Sequence, residues 1–505
     1  MATEIIYQLN DPTFTIYHRA ALGGLASTLM EWDTKRKDIK PNDIEYEYDN
    51  LTVKLRWDEG LDDTEAIARI LEASFRLTDE RLIDLPGHGL RPNQDEQRVA
   101  IHNAILGTFL QHNKMRPAEK KLRHVNLSDD DEKPKMVSYK ALLTYAHRTA
   151  QGTDLLKKNG DMPTWAKIPQ SLIPGVTAGA KDFQVLGKDA LLLLFLMVGC
   201  PVYILRSKIH QEKAQYGIVV PNVINLEDYC DAIRDLASSK NKYVGEYERR
   251  IVGGLEEAAL QFMLDIRVTD DLDYLSKGVD GCLTICMGRV AWDKNQINRS
   301  AVQRIRSHYE QLGIFIAAKD SLLGEIKTLI TDQGEAYSIP ASVIPSLTAS
   351  NLVTGSHWAR GFAHVVKEQK EFKQLLYMKE GFVKMNSAIN LEEERALIDA
   401  FHEAWERTMA QLGDRARRDG LDFKRLVEVE QERIRNTILR QQTVDSLANW
   451  FLQFCASATR GGAMKSFQKY KEILYYYMCN QKYYERFQNL CLFALLSYSK
   501  ENGGK

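Results

Sequence analysis

The last quarter of the chain, residues 385–505, most constrains the fold because helical patterns follow one another there with few interruptions. Asn390 and Glu393 have the spacing of a capping box, and apolar residues recur on one helical face from Leu397 until Gly413, which is expected to end that helix. Further helical patterns cover 421–442, 443–460 and 470–498. We therefore expect an all-helical bundle of four or five helices.

The same region carries a local excess of positive charge. Fourteen Lys or Arg stand against eight Asp or Glu between Arg415 and Arg486, an excess of +6 in a chain whose net charge is −1. Such a surface suits a polyanion better than a small substrate. The candidates for binding a nucleic-acid strand recur along one predicted helical hairpin: Arg415, Arg417, Arg418, Lys424, Arg425, Arg433, Arg435 and Arg440.

Two alternatives to strand binding stay open in this region. Three nearby glutamates, Glu428, Glu430 and Glu432, are also typical of a salt-bridged helix face. The tyrosines at 475–477 and 483–484 have the chemistry to stack on bases, but beside Leu474 and Phe487 their pattern favours the core of the bundle.

Composition limits the class of protein. A chain of 505 residues with 44% apolar side chains can bury large cores and suggests about three domains. The seven cysteines form no CxxC pair and lack partners at zinc-ligand spacing, so we expect reduced thiols, no metal and no cofactor. The longest apolar run, 190–200, is about half of a membrane span, and the N-terminus shows no signal pattern. These features predict a cytoplasmic protein without a membrane partner.

Upstream of the bundle, helical and strand patterns mix, so the predicted fold class is α+β with an all-α C-terminal bundle. A helix rich in small residues, Thr13–Trp32, is expected to pack deep in the body, and strict alternation from Ile44 to Trp57 predicts a β-hairpin turning at Asp49 and Asn50. One helix is expected from Gly245 to Ile266. The predicted divisions are 1–113, an extension or insertion at 114–181, the rest of the body at 182–384, and the bundle at 385–505.

The stretch 114–181 has little hydrophobic periodicity and contains many turn residues and cations. This pattern predicts an irregular segment with only short helices. Long segments of this kind are usually functional, and cations beside an aromatic such as Trp165 suit backbone phosphates. A solvated loop is the alternative. The phosphate-binding candidates here are Lys114, Arg116, Lys120, Lys121, Arg123, Lys157 and Lys158.

A loop at 293–299 combines amides with cations between a predicted strand and a predicted helix. Asn and Gln can pair with adenine, and Arg and Lys with guanine, in the major groove. The candidates for reading bases are Lys294, Asn295, Gln296, Asn298 and Arg299. A helix N-terminus that uses Asn as its cap is the alternative.

Two stretches resemble a known family. The segment DPTFTIYHRAALGGLASTL at 11–29, and the pattern of Asn351, Leu352, Gly355, Trp358, Gly361 and Phe362, are similar to the large subunit of type I CRISPR Cascade complexes. The resemblance is to the Myxococcus-type, type I-B-like branch of the eighth Cas family. The motifs cover about a tenth of the chain, while the size and the α/β body with a helical tail agree along its length.

The resemblance implies a non-catalytic subunit of an RNA-guided ribonucleoprotein. Such subunits contact the 5′ end of the crRNA, recognise the flanking motif (PAM) in double-stranded target DNA, and help to start strand separation, while guide pairing reads the rest of the sequence. Their C-terminal bundle contacts single-stranded DNA of the R-loop. The implied partners are the backbone, 5′-handle-binding and small subunits, with either a helicase-nuclease in antiviral defence or a TniQ-family protein in a CRISPR-associated transposon.

The resemblance also directs attention to two positions. Arg360 is a candidate for contact with a DNA or RNA backbone, whereas the spacing of Trp358 and Phe362 favours a core position for Trp358.

In related systems the helical region is also made separately by internal initiation. Met385 is the candidate start, since Lys379, Glu380 and Gly381 can be encoded by a purine-rich ribosome-binding sequence.

No sequence motif indicates catalysis, because GxxxxGK[ST], HExxH and GxSxG are all absent. No catalytic residue is therefore predicted. The alternatives to a nucleic-acid-binding subunit are a metal-dependent nuclease or other DNA-processing enzyme with an unrecognised site, and a purely structural scaffold.

Overall fold

The computed structural model divides into two compact units, residues 1–306 with 326–339 and residues 307–325 with 340–505. Within the described residues the first unit mixes helices with several small sheets and the second is all-helical, which confirms the predicted fold class. The described residues are 3–92, 94–110, 117–126, 136–145, 153–156, 160–174, 183–205, 215–237, 250–266, 278–286, 311–322, 327–330, 336–339, 342–458 and 462–499.

The first unit begins with a strand followed by a long helix, and its elements alternate irregularly thereafter. In chain order they are β1 (Thr3–Gln8), α1 (Ile16–Thr34), β2 (Glu45–Tyr48), β3 (Thr52–Trp57), α2 (Asp63–Ser74), β4 (Arg76–Leu77), β5 (Ile83–Asp84), α3 (Asp95–Gly107), β6 (Ala118–Asn126), β7 (Met136–Leu142), β8 (Trp165–Ile168), β9 (Phe183–Leu186), α4 (Gly187–Leu194), β10 (Val202–Leu205), β11 (Gln215–Val223), α5 (Leu226–Ala237), β12 (Ile251–Val252), α6 (Leu255–Asp265) and β13 (Val279–Cys286). Two later strands, β14 (Lys327–Ile330) and β15 (Ala336–Ile339), belong to the same unit.

Two sheets hold most of the pairing. The predicted hairpin is confirmed as β2 and β3, in the register Tyr48 to Val53, and β1 adds to it in the order β1-β3-β2. The larger sheet has the order β12-β10-β11-β13, with β10 and β12 parallel and the other pairs antiparallel. Four two-stranded pairs complete the described sheets: β4-β5, β6-β7, β8-β9 and β14-β15.

Helix α1 lies deep in the first unit, as its small residues predict. It is buried on nearly all sides from Ala20 to Leu29 and packs against β11, α4, α5 and the short 3-10 turns at 86–88 and 195–197. A side chain at Gly24 would place its Cβ 2.5 Å from the carbonyl oxygen of Phe195 and from the amide nitrogen of Gly199. Glycine is therefore needed here so that the two backbones can approach this closely.

Two predictions for the first unit are wrong in part. The stretch 114–181 does not contain only short helices, because β6 and β7 pair as an antiparallel hairpin and β8 pairs with β9. The charged side chains of β6 point to solvent and obscure the alternation that marks a strand. The single helix expected from 245 is also shorter, since β12 occupies 251–252 and α6 starts only at Leu255.

The helical unit contains eleven helices within its described residues, most of them short. They are α7 (Leu312–Leu322), α8 (Ile344–Val353), α9 (Phe362–Val365), α10 (Gln369–Tyr377), α11 (Lys379–Ser387), α12 (Glu392–Asp419), α13 (Phe423–Arg440), α14 (Val444–Ser457), α15 (Lys465–Lys469), α16 (Lys471–Met478) and α17 (Tyr484–Ser497). One continuous apolar core runs from Ile314 in α7 to Tyr498 just after α17. The most buried helix of this unit is α17, whose residues 487–497 are all buried.

The boundaries of α12 correct two predictions. Asn390 and Glu393 do not form a capping box, because the helix begins after Leu391 and that N-cap makes no side-chain hydrogen bond. Gly413 does not end the helix, which continues to Asp419 and stops at Gly420 with φ 64°. A helix interior tolerates glycine at a cost of about 1 kcal/mol, whereas a left-handed C-cap favours glycine strongly.

Candidate nucleic-acid interface

The hairpin of α12 and α13 changes from buried to exposed along its length. In the first half of α12, Leu397, Phe401 and Trp405 belong to the core of the helical unit. From Gly413 to Glu430, Ala416 is the one residue classed as buried. We call residues 413–433 the basic hairpin, since this part carries six of the eight predicted strand-binding cations. Most of the basic hairpin therefore lies beyond the part of α12 and α13 that packs in the core.

Most arginines of the basic hairpin make ion pairs with neighbouring acids. Arg417 donates to Asp414 at 2.6 Å, Arg418 donates to Asp419 at 2.9 Å, and Arg433 pairs with Glu430. Arg415 also lies 3.6 Å from Asp419. Six cations face six acids between 413 and 433, so the alternative of a salt-bridged helix face describes much of this surface.

Two cations near the start of α13 differ from these arginines. Lys424 and Arg425 are exposed and make no ion pair with any residue that the structure describes, and the same holds for Arg440 at the far end of α13. Exposed ion pairs are worth only about 0–1 kcal/mol, so the paired arginines can exchange a carboxylate for a phosphate at little cost. Over residues 415–425, five cations face two acids.

Arg435 does not belong to this surface. Its side chain is 5% exposed, its guanidinium lies 4.9 Å from the centre of the Phe372 ring, and its Nε and Nη2 donate to Asn436. The prediction that Arg435 binds a strand is therefore wrong, because the helical spacing that repeats the cations also turns this one toward α10.

The stretch that carries the family resemblance forms a tight loop between α8 and α9. The side-chain amide of Asn351 donates to the carbonyl oxygens of Trp358 and Arg360, both at 2.8 Å. Gly355 and Gly361 adopt positive φ at the two turns of this loop. The Trp358 side chain is 1% exposed and meets Phe493 edge to face at 4.9 Å, so the core position expected for it is confirmed.

A buried carboxylate organises that loop, and sequence reasoning did not find it. Glu394 is 0% exposed and lies 2.7 Å from His357 Nε2, while Trp358 Nε1 donates to it at 2.7 Å and Arg486 at 2.6 Å. Burial alone would raise the pKa of Glu394, but these partners hold that pKa below its usual value. The sequence shows three successive glutamates at 392–394, and nothing in it marks the one that turns inward.

Arg360 lies at the solvent side of this loop. Its side chain is exposed, its Nη1 donates to Ser356 Oγ at 3.1 Å, and its Nε lies 3.8 Å from Glu485. This weak, exposed pair leaves the guanidinium available to a backbone phosphate, which stays a prediction.

The candidates in the first unit are only partly placed by the structure. Lys120 and Lys121 are exposed on β6, and Arg123 pairs with Glu119 at 2.7 Å. Trp165 is exposed on β8. The remaining predicted residues lie outside the described part of the chain: Lys114, Arg116, Lys157, Lys158, Lys294, Asn295, Gln296, Asn298 and Arg299.

Met385, the candidate internal start, lies in the core of the helical unit. It is fully buried in α11, which packs against α7 and α17. A product that starts at Met385 would lack Trp358, Phe362 and Phe382, the three rings that surround Phe493. Internal initiation stays a prediction, but its product would have to cover this apolar surface in another way.

Neither a metal site nor a membrane span emerges from the described residues. They contain no group of three or more His, Cys, Asp or Glu side chains placed to hold a metal ion. Their helices are all too short or too polar to cross a membrane.

Comparison with known families finds matches at both ends of the chain. Residues 6–194 match the DevT N-terminal domain, and residues 385–505 match the DevT C-terminal domain. The chain is similar to DevT in these two stretches. The first contains α1 and the β-hairpin, and the second contains the basic hairpin and Glu394. No curated protein matches the chain.

Proposed function

We propose that this chain is the non-catalytic large subunit of a type I-B-like CRISPR Cascade complex. In this function it recognises the flanking motif in duplex DNA, helps to start strand separation, contacts the 5′ end of the crRNA, and holds DNA strands with its helical unit. It works in the cytoplasm with the backbone, 5′-handle-binding and small subunits, and with either a helicase-nuclease or a TniQ-family transposition protein.

The basic hairpin is the observation that carries the DNA-binding part of the proposal. It extends past the core, presents Lys424 and Arg425 without an ion pair to any described residue, and holds Arg415, Arg417 and Arg418 in exposed pairs. Phosphates need a cation within reach and no fixed geometry, and exposed cations on a helical hairpin meet that need. The resemblance of residues 11–29 and of the Asn351–Phe362 pattern supports the assignment to a Cascade large subunit.

Charge reversal on the hairpin tests the DNA contact. Arg417→Glu, Arg418→Glu and Arg425→Glu together should weaken target binding by the assembled complex and lower the slope of log affinity against log salt by about 2–3, since each phosphate contact contributes about 0.9. The matched control reverses three exposed lysines elsewhere in the helical unit, Lys367, Lys370 and Lys384, with the same change in net charge. The control should leave both quantities near those of the parent complex.

Two outcomes would contradict the proposal. A complex whose target affinity and salt slope are unchanged by the hairpin variant would favour the scaffold alternative. Cleavage of DNA by the isolated chain with Mg²⁺ or Mn²⁺ would favour the nuclease. The subunit assignment itself requires that a complex assembled without this chain loses preference for targets with the flanking motif.

A further inference from the structure

Strand β1 forms an edge of the three-stranded sheet, because it pairs with β3 on one side and with no described strand on the other. The Leu9 amide donates to the Leu51 carbonyl oxygen at 2.8 Å. Hydrogen-bonded positions alternate along an antiparallel pair, so residues 3, 5 and 7 also direct their backbone groups toward β3. The N–H and C=O groups that point away from β3 therefore belong to Glu4, Ile6 and Gln8.

The outer edge of β1 is accessible. The side chains of Glu4, Ile6 and Gln8 are all exposed, Ile6 by 41%, whereas Ile5 and Tyr7 are buried. Within the described residues, the outward backbone groups make one hydrogen bond, from the Asp11 amide to the Gln8 carbonyl oxygen. A strand edge with free backbone groups can bind a further strand.

The edge strand β6 shows how such pairing is normally prevented. Its pairing with β7 is interrupted by a bulge between Ala118 and Leu122, and Lys120 and Lys121 are exposed on it. Bulges and lysines are features with which proteins keep sheet edges apart. Strand β1 pairs with β3 in one uninterrupted register and carries a single charge, that of Glu4. It therefore lacks the protection that β6 has.

We propose that β1 pairs antiparallel with β1 of a second copy of this chain, which joins the two sheets into one. The register follows from the strand itself, because outward groups occur at every second residue. Pairing that uses all of them places Ile6 opposite Ile6 of the second copy, on the twofold axis, and Glu4 opposite Gln8.

The side chains brought together by this register are compatible. Two β-branched isoleucines meet at the axis, and on the buried face Ile5 lies opposite Tyr7. The carboxylate of Glu4 meets the amide of Gln8 instead of a like charge, and it keeps Arg56 as its neighbour across β3. A strand of another protein is the competing occupant. A second copy is favoured because its own sequence meets every outward position without opposing two like charges.

Cysteine cross-linking of the full-length chain tests the register. Cys479 is exposed and is replaced by serine in every variant, so that it contributes no background. In Ile6→Cys the two thiols occupy directly opposite positions, with Cα atoms about 5.5 Å apart, a separation that a disulfide can span. Glu4→Cys is the matched control, since its two thiols would lie about 14 Å apart along the strands. Under mild oxidation Ile6→Cys should form covalent dimers at least ~10-fold faster than Glu4→Cys.

A mixture of two variants adds a positive control for the same register. Glu4→Cys should cross-link to Gln8→Cys when the two proteins are combined, although neither should cross-link well alone. Equal rates for Ile6→Cys and Glu4→Cys would overturn the proposal, as would failure of the mixture to form the mixed dimer.

Light scattering measures the association without cross-links. One strand pair buries less than the roughly 1,200 Å² of a stable interface, so the parent should approach twice the mass of a single chain only as concentration rises. Ile6→Lys places two like charges on the axis and should remain monomeric at the same concentrations. A parent that is monomeric at every concentration would overturn the proposal and assign the edge to a strand of another protein.

Neither folding nor DNA binding confuses these tests. Ile6 is exposed and its backbone groups point away from β3, so circular dichroism should be unchanged in every variant. The inference does not rest on the proposed function, because β1 and the basic hairpin belong to different units. Ile6→Lys should therefore change self-association and leave the effect of hairpin charge reversal on DNA binding as it is in the parent.

Discussion

The two ends of helix α12 use charged residues in opposite ways. Near its N-terminus, Glu394 is buried and has three side-chain partners from two other parts of the helical unit. Near its C-terminus, Arg415, Arg417 and Arg418 are exposed and, within the part of the chain that the structure describes, pair with acids on the same helix. One helix therefore carries a structural charge at one end and charges available for binding at the other.

The difference in burial sets the energies involved. Removing one partner of a buried charged pair costs about 3–5 kcal/mol, because the remaining charge is left without compensation in a poorly polarisable interior. An exposed pair contributes about 0–1 kcal/mol, because water and salt screen it. We expect substitutions near Glu394 to change stability and substitutions in the basic hairpin to change binding.

The largest effect is expected for Glu394→Gln. The amide keeps the shape but loses the charge that Arg486 and His357 face, so the helical unit should lose about 3–5 kcal/mol of unfolding free energy. Urea unfolding of the full chain gives the magnitude, and hydrogen exchange of peptides from α12 and α17 localises it. Glu393→Gln is the matched control, since this neighbour is exposed and its change should stay within about 0.5 kcal/mol. Equal effects of the two variants would remove the contrast between the ends of α12.

A smaller effect is expected from the pH response of His402. Its Nε2 lies 3.0 Å from the Ala494 carbonyl oxygen, and burial lowers its pKa to about 4. In the unfolded chain the histidine has a pKa of about 6.5, so it is protonated at a higher pH than His402 in the folded chain. Stability that is present above pH 6.5 is therefore lost as the pH falls toward 4. The loss from this group should be about 3 kcal/mol. Glutamine does not titrate, so the unfolding free energy of His402→Gln, measured in urea, should depend less on pH over the same window.

Local sequence patterns predicted elements whose cause is local. Alternation around Asp49 and Asn50 was sufficient for the β-hairpin, and small residues were sufficient to predict that α1 is buried. The larger sheet was harder to foresee. It joins β10 to β12 across 45 residues, and such pairing depends on tertiary packing that no periodicity records.

For the candidate interface, the sequence showed the spacing of the cations along the helices but not which of them are buried and which are exposed. Arg435 and Arg433 are only two residues apart, yet one packs on Phe372 and the other lies in solvent. The three residues Glu392, Glu393 and Glu394 are identical in type and differ only in the side of α12 that they occupy. Burial of charge is decided by which helices pack nearby, and that information is nonlocal.

The smallest effects are expected at the two glycines of the basic hairpin, where backbone conformation replaces packing as the cause. Gly420→Ala should destabilise the turn between α12 and α13 by about 1–2 kcal/mol, because φ is 64° there and a side chain is strained in that region. Gly413→Ala should stabilise the same hairpin by about 1 kcal/mol, since residue 413 is helical and its Cβ would meet the Phe423 ring at an ordinary 3.7 Å.

Hydrogen exchange of peptides spanning 408–430 measures both glycine variants against the parent. If protection from exchange falls in Gly420→Ala and rises in Gly413→Ala, the hairpin is stabilised by its own helix geometry, as an element extending past the core requires. If protection changes in the same direction in both variants, residues 413 and 420 share one environment. The hairpin would then be stabilised by packing, like the Glu394 end, and its arginines would lose their distinction as charges available for binding.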